Sequence, residues 1–511
     1  YGLVGSEMCI RDRLEADRYR FGNLIRKLDN IYEKRGIRIE LFEWEDYDAA
    51  YNGMRKQDEY NERVRASDMF LALFHKKAGK FTIEEFNIAR KAFDEQASPK
   101  IYTYIKDLEA GESESRELAE FKRLMLEELG HYWCRYSNFD TMQLHFVLQL
   151  QMVEATTPIK VEVKESQVKI GDSTIADLNN VPFTSENATH RELQSRKEQL
   201  DREIGNAESG GRRGFFGQRS RTTDEELANL REERESVTEQ IERQEKALVD
   251  TAMSIARMQG GECSPRMRTA AELFEKGEID KAEAVLKEDD MEADATNAKL
   301  KFDTAAQPTA ELTRNIERCA GEYMLKARIV VSGIADESRY RQAVKLMSTA
   351  IDLVSGRLPE ETLAEYLFDY AVLLTDTGQQ TKALETWERL SGIYERLYRK
   401  APQKYAYGYA GVLNNMAVLY SDKGDFDHCL SKYLKAIDIY DWLDREEPGI
   451  YDDDIARLKN NLGTLYSDRD EYNKALSEFN EAARIRFELL AKDNDPDSRS
   501  ALADIYCNMA T

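Results

Sequence analysis

The sequence predicts an N-terminal α/β domain with a parallel sheet, a coiled-coil helical hairpin, and a C-terminal all-α array of helical repeats. Three observations predict this organisation. Between about residues 18 and 155, short apolar runs alternate with amphipathic helical segments, which is the pattern of strands joined by crossover helices. Residues 188–258 are rich in Glu, Arg and Gln, with apolar residues at heptad-like intervals. From residue 262, small and aromatic residues recur at a fixed interval.

Length and composition limit the classes of protein that the chain can belong to. With 511 residues it is too long for a single core, and 33% of its residues are charged. A net charge of -23 disfavours broad binding to nucleic acid, which needs a positive field. No apolar run approaches the length of a membrane span, and the mean hydropathy is -0.65. The six cysteines form no CxxC pair. We therefore expect a soluble, cytoplasmic protein without a metal site or membrane contact.

The α/β region divides into alternating helices and strands. The predicted helices are residues 18–35, 57–66, 83–93, 115–129 and 142–153, and the predicted strands are residues 37–44, 69–74, 100–105 and 131–136. The run at 69–74 is uniformly apolar, as a parallel strand buried on both faces must be. The order of elements predicts a parallel sheet with helices on both faces.

Both ends of the sequence have features that affect the prediction of the fold. Residues 3–13 resemble one reading frame of a transposase sequencing adapter. We therefore expect residues 1–13 to be an artefact and the α/β domain, residues 14–155, to lack its first strand. We also expect this copy to use Gly2–Gly5 as a poor substitute for that strand, or to leave a gap. Ala510 and Thr511 fall within a helical pattern, so we expect the repeat array to be truncated.

The segment between the two domains has two parts. Residues 156–187 contain alternating valines around Glu165, which predicts a small β-hairpin linker. Residues 188–258 predict a coiled-coil hairpin whose seam residues are Leu193, Leu200, Ile204, Leu230, Val237, Ile241 and Leu248. Four arginines lie beside Phe215 and Phe216 at the tip. The tip is interpreted either as a contact site for RNA or an acidic partner, or as a solvated loop without a binding role.

Residues 262–511 contain a repeat with a period of 46 residues. Three sets share this period: Ala371, Ala417 and Gly463; Ala383, Cys429 and Ala475; Trp387, Tyr433 and Phe479. Gly378, Gly424 and Asp470 mark a turn in the same register. Small residues facing an aromatic one favour close packing of paired helices. The pattern resembles the tetratricopeptide (TPR) repeat, lengthened by about a dozen residues.

Four segments of the α/β region carry a resemblance to a known family. Residues 43–46 (EWED), 55–61, 66–74 (ASDMFLALF) and 79–86 (GKFTIEEF) resemble the TIR-like domains of bacterial proteins, which often carry C-terminal repeats. The resemblance implies a flavodoxin-like sheet of order 2-1-3-4-5. It also implies that a glutamate after the third strand cleaves the nicotinamide–ribose bond of NAD. The family's pattern of aromatic, glutamate and small residue falls on Phe81, Glu85 and Ala89.

The candidate site follows from that resemblance. Glu85 is the predicted catalytic residue, and Phe81, Trp44, Asp46 and Arg55 are the candidate substrate-binding residues. Cleavage develops positive charge on the ribose, which a fixed carboxylate stabilises. Four of these residues have a structural alternative: Glu85 as a charge at a helix start or an inactive relic, Trp44 as a core residue, Asp46 as a loop cap, and Arg55 as a surface ion-pair partner. NAD is the expected substrate, and no cofactor or metal is expected.

Two functions remain open from the sequence. The first is a TIR-type NAD glycohydrolase effector, controlled by sensing and assembly through the repeats and the coiled coil. The family's association with antiviral defence implies a role in bacterial defence or signalling. The second is a non-catalytic scaffold of TIR-like and TPR modules. In both, we expect self-association through the TIR-like and coiled-coil regions and an unknown protein or peptide on the repeat array.

Overall fold

The computed structural model of the chain describes residues 2–5, 14–33, 37–42, 56–109, 111–125, 133–150, 161–170, 173–210, 224–259, 263–333, 336–446, 448–493 and 496–510. The chain forms two compact units. The first comprises Tyr1–Gln149, Ser166–Lys169 and Ser173–Pro182, and the second Leu150–Glu165, Ile170–Asp172 and Phe183–Thr511. None of the helices within the described ranges is both long and apolar enough to cross a membrane.

The first unit is built on a five-stranded parallel sheet. Its strands are β1 (Gly2–Gly5), β2 (Glu40–Phe42), β3 (Met69–Phe74), β4 (Lys100–Lys106) and β5 (Cys134–Tyr136). Their order across the sheet is β2-β1-β3-β4-β5, and every neighbouring pair is parallel. This is one of the common orders of doubly wound α/β sheets. All six residues of β3 are buried, which explains why its sequence holds no polar residue.

Helices cover both faces of this sheet. They are α1 (Glu15–Glu33), α2 (Lys56–Ala66), α3 (Lys80–Gln96), α4 (Arg116–Arg123) and α5 (Phe139–Leu150). Neighbouring residues of β4 separate the faces: the Tyr104 ring lies 5.5 Å from that of His145 on α5, whereas Ile105 belongs to a core shared by α2, α3 and α4. The ring of Phe21 on α1 lies 4.9 Å from that of Phe146 on α5. Hence α1 and α5 share one face, as the alternation of a strand requires.

The interior of the sheet matches one of two alternatives that the sequence left open. Residues 14–155 supply four of the five strands, and β1 lies between β2 and β3, so the sheet has no gap there. Leu3 is in register with Leu41 on one side and with Met69 on the other. The alternative expectation, that Gly2–Gly5 takes the place of the first strand, is confirmed. The physical reason is that a gap here would leave the backbone donors and acceptors of two buried strands unpaired.

Three short strands form a second sheet. They are β6 (Glu162–Lys164), β7 (Gln167–Ile170) and β8 (Ser173–Asp177), in the order β6-β7-β8. The turn between β6 and β7 falls on Glu165 and Ser166, whose φ angles are 52° and 57°. Such a pair of left-handed residues is typical of a tight hairpin turn. The sequence predicted these two strands but missed β8. A 3₁₀ helix, Leu178–Asn180, and the short helix α6, Pro182–Ser185, follow.

The second unit begins with a helical hairpin. Its helices are α7 (Ala188–Gly210) and α8 (Asp224–Gln259). Leu200, Val237 and Ile241 form its buried seam, with Leu193 and Leu230 packed against them. These are five of the seven seam residues that the heptad pattern predicted. The basic tip with Phe215 and Phe216 lies outside the described residues.

The rest of the unit is a helical-repeat array of the TPR type. Its helices are α9 (Pro265–Glu275), α10 (Ile279–Val285), α11 (Glu288–Thr304), α12 (Ala310–Ser332), α13 (Glu337–Val354), α14 (Glu360–Asp376), α15 (Gln380–Lys400), α16 (Pro402–Asp422), α17 (Phe426–Glu446), α18 (Asp452–Ser467), α19 (Tyr472–Asp493) and α20 (Pro496–Ala510). The array predicted from the 46-residue register is confirmed. Its small and aromatic register residues are all buried.

Four turns within the helix pairs have the same hydrogen bonds. Gly378 N–H donates to the Thr375 carbonyl at 3.0 Å, and Gln379 N–H donates to the Leu374 carbonyl at 2.9 Å. Equivalent bonds surround Gly277, Gly424 and Asp470, and all four residues have positive φ. This is the Schellman arrangement, which satisfies the last carbonyls of a helix. The predicted turn positions at 378, 424 and 470 are confirmed.

We call each pair of consecutive antiparallel helices a rung of the array. Contacts between successive rungs divide the array into two layers. First helices meet first helices: the Tyr405 hydroxyl of α16 donates to Glu361 Oε1 of α14 at 3.2 Å, and Asn508 of α20 donates to Asn460 of α18 at 3.1 Å. Second helices also meet: Lys435 Nζ of α17 lies 3.4 Å from Glu395 Oε1 of α15. We call the surface of α12, α14, α16, α18 and α20 the first-helix layer.

Candidate functional site

Helix α3 follows the central strand β3 and carries the predicted catalytic residue. Its buried face consists of Thr82, Glu85, Phe86, Ala89 and Ala92, spaced at three and four residues. Phe86 fixes this face, because its ring lies edge-on to that of Phe121 on α4 at 5.0 Å. The side chain of Glu85 therefore starts from the side of α3 that faces the sheet.

Glu85 is fully buried, at 0% exposure. Its neighbour Glu84 is half-buried and accepts a hydrogen bond from Asn61 Nδ2 of α2 at 3.0 Å. Because α3 begins at Lys80, both glutamates lie in its second turn, and the first turn holds no acidic residue. Interpreting Glu85 as a charge at the start of a helix is therefore wrong, since the dipole acts mainly within the first turn. Burying a carboxylate is costly, so helix stability does not explain this residue.

The other predicted site residues fall into two groups. Phe81 lies one helical turn before Glu85 and is 51% exposed. Ala89, one turn after Glu85, is fully buried and leaves room in the core for the carboxylate-bearing turn. The structure thus brings Phe81, Glu85 and Ala89 onto one side of α3. Trp44, Asp46 and Arg55 lie outside the residues for which side chains are described.

Access to Glu85 is closed in this structure. A groove of about 540 Å³ runs along α3, but it is lined by Glu84, Ile83 and Asn87, with Arg65 of α2 opposite. Glu85 does not line this groove. A ligand in it would meet Glu84, and contact with Glu85 requires a change around the buried face. In such dry surroundings a carboxylate interacts strongly with a nearby positive charge.

Two polar groups at the carboxyl ends of the strands were missed by sequence reasoning. Asp17 Oδ2 of α1 accepts from Lys106 Nζ at 2.7 Å and from the Tyr136 hydroxyl at 3.1 Å. Lys106 ends β4 and Tyr136 ends β5. Ligands of open parallel sheets bind outside this edge. Applying that rule to the last residue of each predicted strand identifies Lys106 and Tyr136, but not Asp17.

The second polar group follows β3. His75 is buried, and its Nε2 lies 3.5 Å from Glu112 Oε2, while Lys76 Nζ lies 2.5 Å from Glu112 Oε1. In the described residues, no group of three or more His, Cys, Asp or Glu side chains is placed to hold a metal ion. The edge of the sheet is therefore lined by paired charges that fix the loops around β3 and β4.

The first-helix layer carries a row of amide side chains. We call Asn414 and Asn415 of α16, Asn460 and Asn461 of α18, and Asn508 of α20 the asparagine stripe; all five are half-buried. The first four repeat with the 46-residue period, so the register, applied to polar residues, would have predicted them. The Asn414 Oδ1 atom is buried and has no hydrogen-bond partner among the residues that the structure describes. A half-buried amide with spare hydrogen-bonding capacity is suited to a polar ligand such as a peptide backbone.

Comparisons with known proteins show similarity only at the level of solved structures. No protein-family model matches the chain, and no curated protein matches its sequence significantly. BtubC from P. vanneervenii is 17% identical over 58% of this chain and 92% of its own, with a TM-score of 0.31. Apo RapI is 15% identical over 62% and 72%, with a TM-score of 0.34.

A third similar structure is a STAND ATPase with a tetratricopeptide repeat sensor from Pyrococcus horikoshii. It is 11% identical over 100% of this chain and 89% of its own, with a TM-score of 0.25. TM-scores as low as these do not establish a common fold with any of the three.

Proposed function

We propose that the first unit is a TIR-like, flavodoxin-like domain that cleaves NAD at the nicotinamide–ribose bond, with Glu85 as the carboxylate that acts on the ribose. One observation carries the proposal: a fully buried glutamate lies on the sheet side of the helix that follows the central strand of a 2-1-3-4-5 sheet. Phe81, exposed one turn earlier, supplies an aromatic surface for a base of the dinucleotide.

The burial of Glu85 sets a condition on this activity. A carboxylate with no exposed surface does not reach a substrate, so the described conformation is a resting one. We propose that assembly of several chains opens the site. Burial keeps the carboxylate away from solvent until then, and titratable groups in unusual surroundings cluster at functional sites.

The test compares NAD consumption by the full chain and two matched variants. Glu85→Gln removes the charge on the buried face, and Glu84→Gln removes an equal charge about 100° around the same helix. Each protein is assayed dilute and after fusion to a dimerising helix. We expect NAD loss only in the assembled forms of the wild type and Glu84→Gln. NAD loss by Glu85→Gln, or none by the assembled wild type, contradicts the proposal.

A second candidate function concerns the repeat array. We propose that it binds a segment of a protein partner through the asparagine stripe, which makes the chain a sensor or scaffold. The supporting observation is that Asn414 Oδ1, on the first-helix layer, is buried and has no hydrogen-bond partner in the described ranges. An amide side chain offers both a donor and an acceptor, and so it matches an extended peptide backbone whatever its sequence.

The array proposal is tested on an immobilised library of random peptides probed with the full chain. We expect selected peptides to lose at least about tenfold in affinity when Asn414 is changed to Ala, which is the loss of one or two hydrogen bonds. Asn229→Ala, in the hairpin and away from the array, is the control. Unchanged affinity in Asn414→Ala contradicts the stripe as the binding surface, and it leaves the NAD proposal untouched.

A further inference from the structure

Helix α8 has different neighbours along its length. In its N-terminal half, Val237 and Ile241 belong to the seam with α7. In its C-terminal half, Gln244 Nε2 donates to the Ser332 carbonyl of α12, and the Thr251 hydroxyl donates to the Arg328 carbonyl, each at 3.4 Å. Leu248 and Val249 are buried at 0% and 2% exposure. The N-terminal half of α8 is therefore one arm of the helical hairpin, and its C-terminal half packs on the array. We call residues 243–257 the docking segment.

Arg328 joins the docking segment to the first-helix layer. Its Nη1 donates to the Asp250 backbone carbonyl of α8 at 3.0 Å, and its Nη2 pairs with Asp369 Oδ2 of α14. The side chain is only 16% exposed, and within the described part of the chain its buried Nε atom has no hydrogen-bond partner. If the docking segment leaves, this guanidinium loses its bond to the Asp250 carbonyl while Asp369 still holds it in the layer.

Charges on the docking segment run along α14. Burial raises the pKa of Asp376 at the end of α14, and the positive charges of Lys246 and then Arg243 oppose the rise. Burial also raises the pKa of Glu365, about three turns earlier in α14. The positive charge of Arg257 is the foremost of those that oppose this rise. Positive charges of the docking segment therefore lie near enough to these carboxylates of α14 to oppose the rise of their pKa.

The repeat register explains why α8 docks at this rung. Asp369 precedes Asn415 by one 46-residue period and Asn461 by two. On the rungs of α16 and α18 this position is an amide of the asparagine stripe, and on α14 it is a carboxylate that pairs with Arg328. The same surface that is open on the later rungs is therefore covered by α8 on the first ones.

We propose that the surface of α12 and α14 is a binding site for an amphipathic helix, that the docking segment occupies it in this structure, and that a helix of a partner protein and the docking segment exclude each other. The occupant that fits has an apolar face like Leu248 and Val249 and basic residues facing α14. This inference concerns a different rung from Asn414 and stands whether or not the stripe binds a peptide.

The test uses the full chain and a fluorescent synthetic peptide with the sequence of residues 243–257. Leu248→Lys places a charge on the buried face of the docking segment, and Glu242→Lys places the same residue on the exposed face of α8, one residue before the segment, as the control. We expect the Leu248→Lys chain to bind the peptide at least about tenfold more tightly than the wild type or Glu242→Lys does. A peptide carrying the Leu248→Lys change should not bind.

Hydrogen exchange gives a second measurement with a milder variant. Asp369→Asn gives α14 the residue that the next rungs have and removes the charge that faces Arg328. We expect amides of residues 243–257 to exchange about tenfold faster in this variant, with those of residues 230–241 unchanged. Exchange that stays the same in Asp369→Asn, or equal peptide binding by the wild type and Leu248→Lys, overturns the proposal.

Discussion

Gly463 and Phe479 touch so closely that no larger residue fits at position 463. A Cβ atom at Gly463 would lie 2.6 Å from the Phe479 ring, which is itself only 2% exposed. Earlier rungs have Ala371 with Trp387 and Ala417 with Tyr433 at the same positions. Helices α18 and α19 therefore approach so closely that only a glycine fits between them, whereas the two earlier helix pairs leave room for an alanine.

We predict that Gly463→Ala destabilises the array. The ring of Phe479 is buried and rigid, so the new methyl group forces apart two helices that are in contact. Overpacking of this kind costs roughly 1–3 kcal/mol, and Ala417→Phe should cost at least as much. The measurement is the midpoint of urea unfolding followed by circular dichroism at 222 nm.

A matched control lies in the preceding pair. A Cβ at Gly411, inside α16, meets nothing within 4 Å. Gly411→Ala should therefore stabilise the array by about 0.5–1 kcal/mol, the usual gain of alanine over glycine within a helix. Equal shifts of both variants in one direction would show that close packing at Gly463 is not what limits the residue there.

The turns give a second prediction. Gly424 has φ of 71°, and Asp470 occupies the equivalent turn with φ of 59°. Gly424→Ala should cost about 1–2 kcal/mol, because a Cβ is unfavourable in the left-handed region. Asp470→Gly should stabilise the array by a few tenths of a kcal/mol, since it removes the same strain. Thermal unfolding of the two single variants measures this, and destabilisation by Asp470→Gly would contradict it.

The repeat array was predictable because its signal is redundant. The small residue, the turn glycine and the aromatic recur three times, and each fixes a different feature of the helix pair: contact distance, chain reversal and core volume. Gly378 and Gly424 must be glycine or a tolerant residue for a backbone reason that is local. A local cause that repeats is visible in one sequence without any alignment.

The asparagine stripe was missed although it obeys the same period. Asn414 and Asn460 look like ordinary helix-surface residues until the layers of the array are known. Which helices adjoin depends on contacts such as that between Asn508 and Asn460, which join residues 48 positions apart. Sequence spacing predicts the helix pair, but not which face of the pair lies in the first-helix layer.

The environment of Glu85 was likewise out of reach of sequence reasoning. Its neighbour Glu84 has the same residue type and the same helix, yet one is buried and the other bonded to Asn61 at the edge of a groove. The difference arises because consecutive residues of a helix point about 100° apart, so that Glu85 faces the sheet and Glu84 does not. The predicted start of α3, three residues late at 83, also placed both glutamates wrongly in the first turn.

A third prediction concerns a buried pair in the hairpin. His190 Nε2 lies 2.9 Å from Glu245 Oε1, and both residues are almost fully buried. We predict that His190→Ala destabilises the second unit by roughly 3–5 kcal/mol, because it leaves the Glu245 carboxylate buried without its histidine. Arg191→Ala, in the same helix as His190, removes an exposed ion pair with Glu186 and should cost less than about 1 kcal/mol. Chemical unfolding of the full chain measures both, and comparable losses would show that burial of the pair is unimportant.

The last prediction concerns β1, the strand between β2 and β3. β1 has four residues, two of them glycine, and pairs with three residues of β2 and three of β3, whereas β3 and β4 pair over six. Glycine inside a strand weakens it, so β1 is a weak interior strand for a sheet buried on both faces. Deleting residues 1–5 should abolish the cooperative unfolding of the first unit. Each buried backbone group left unpaired costs about 1–3 kcal/mol, and several of them exceed the stability of a typical domain. Hydrogen exchange of residues 69–74 is the measurement, with deletion of residue 1 alone as the control. If those amides stay protected without β1, the sheet does not depend on the strand that lies between β2 and β3.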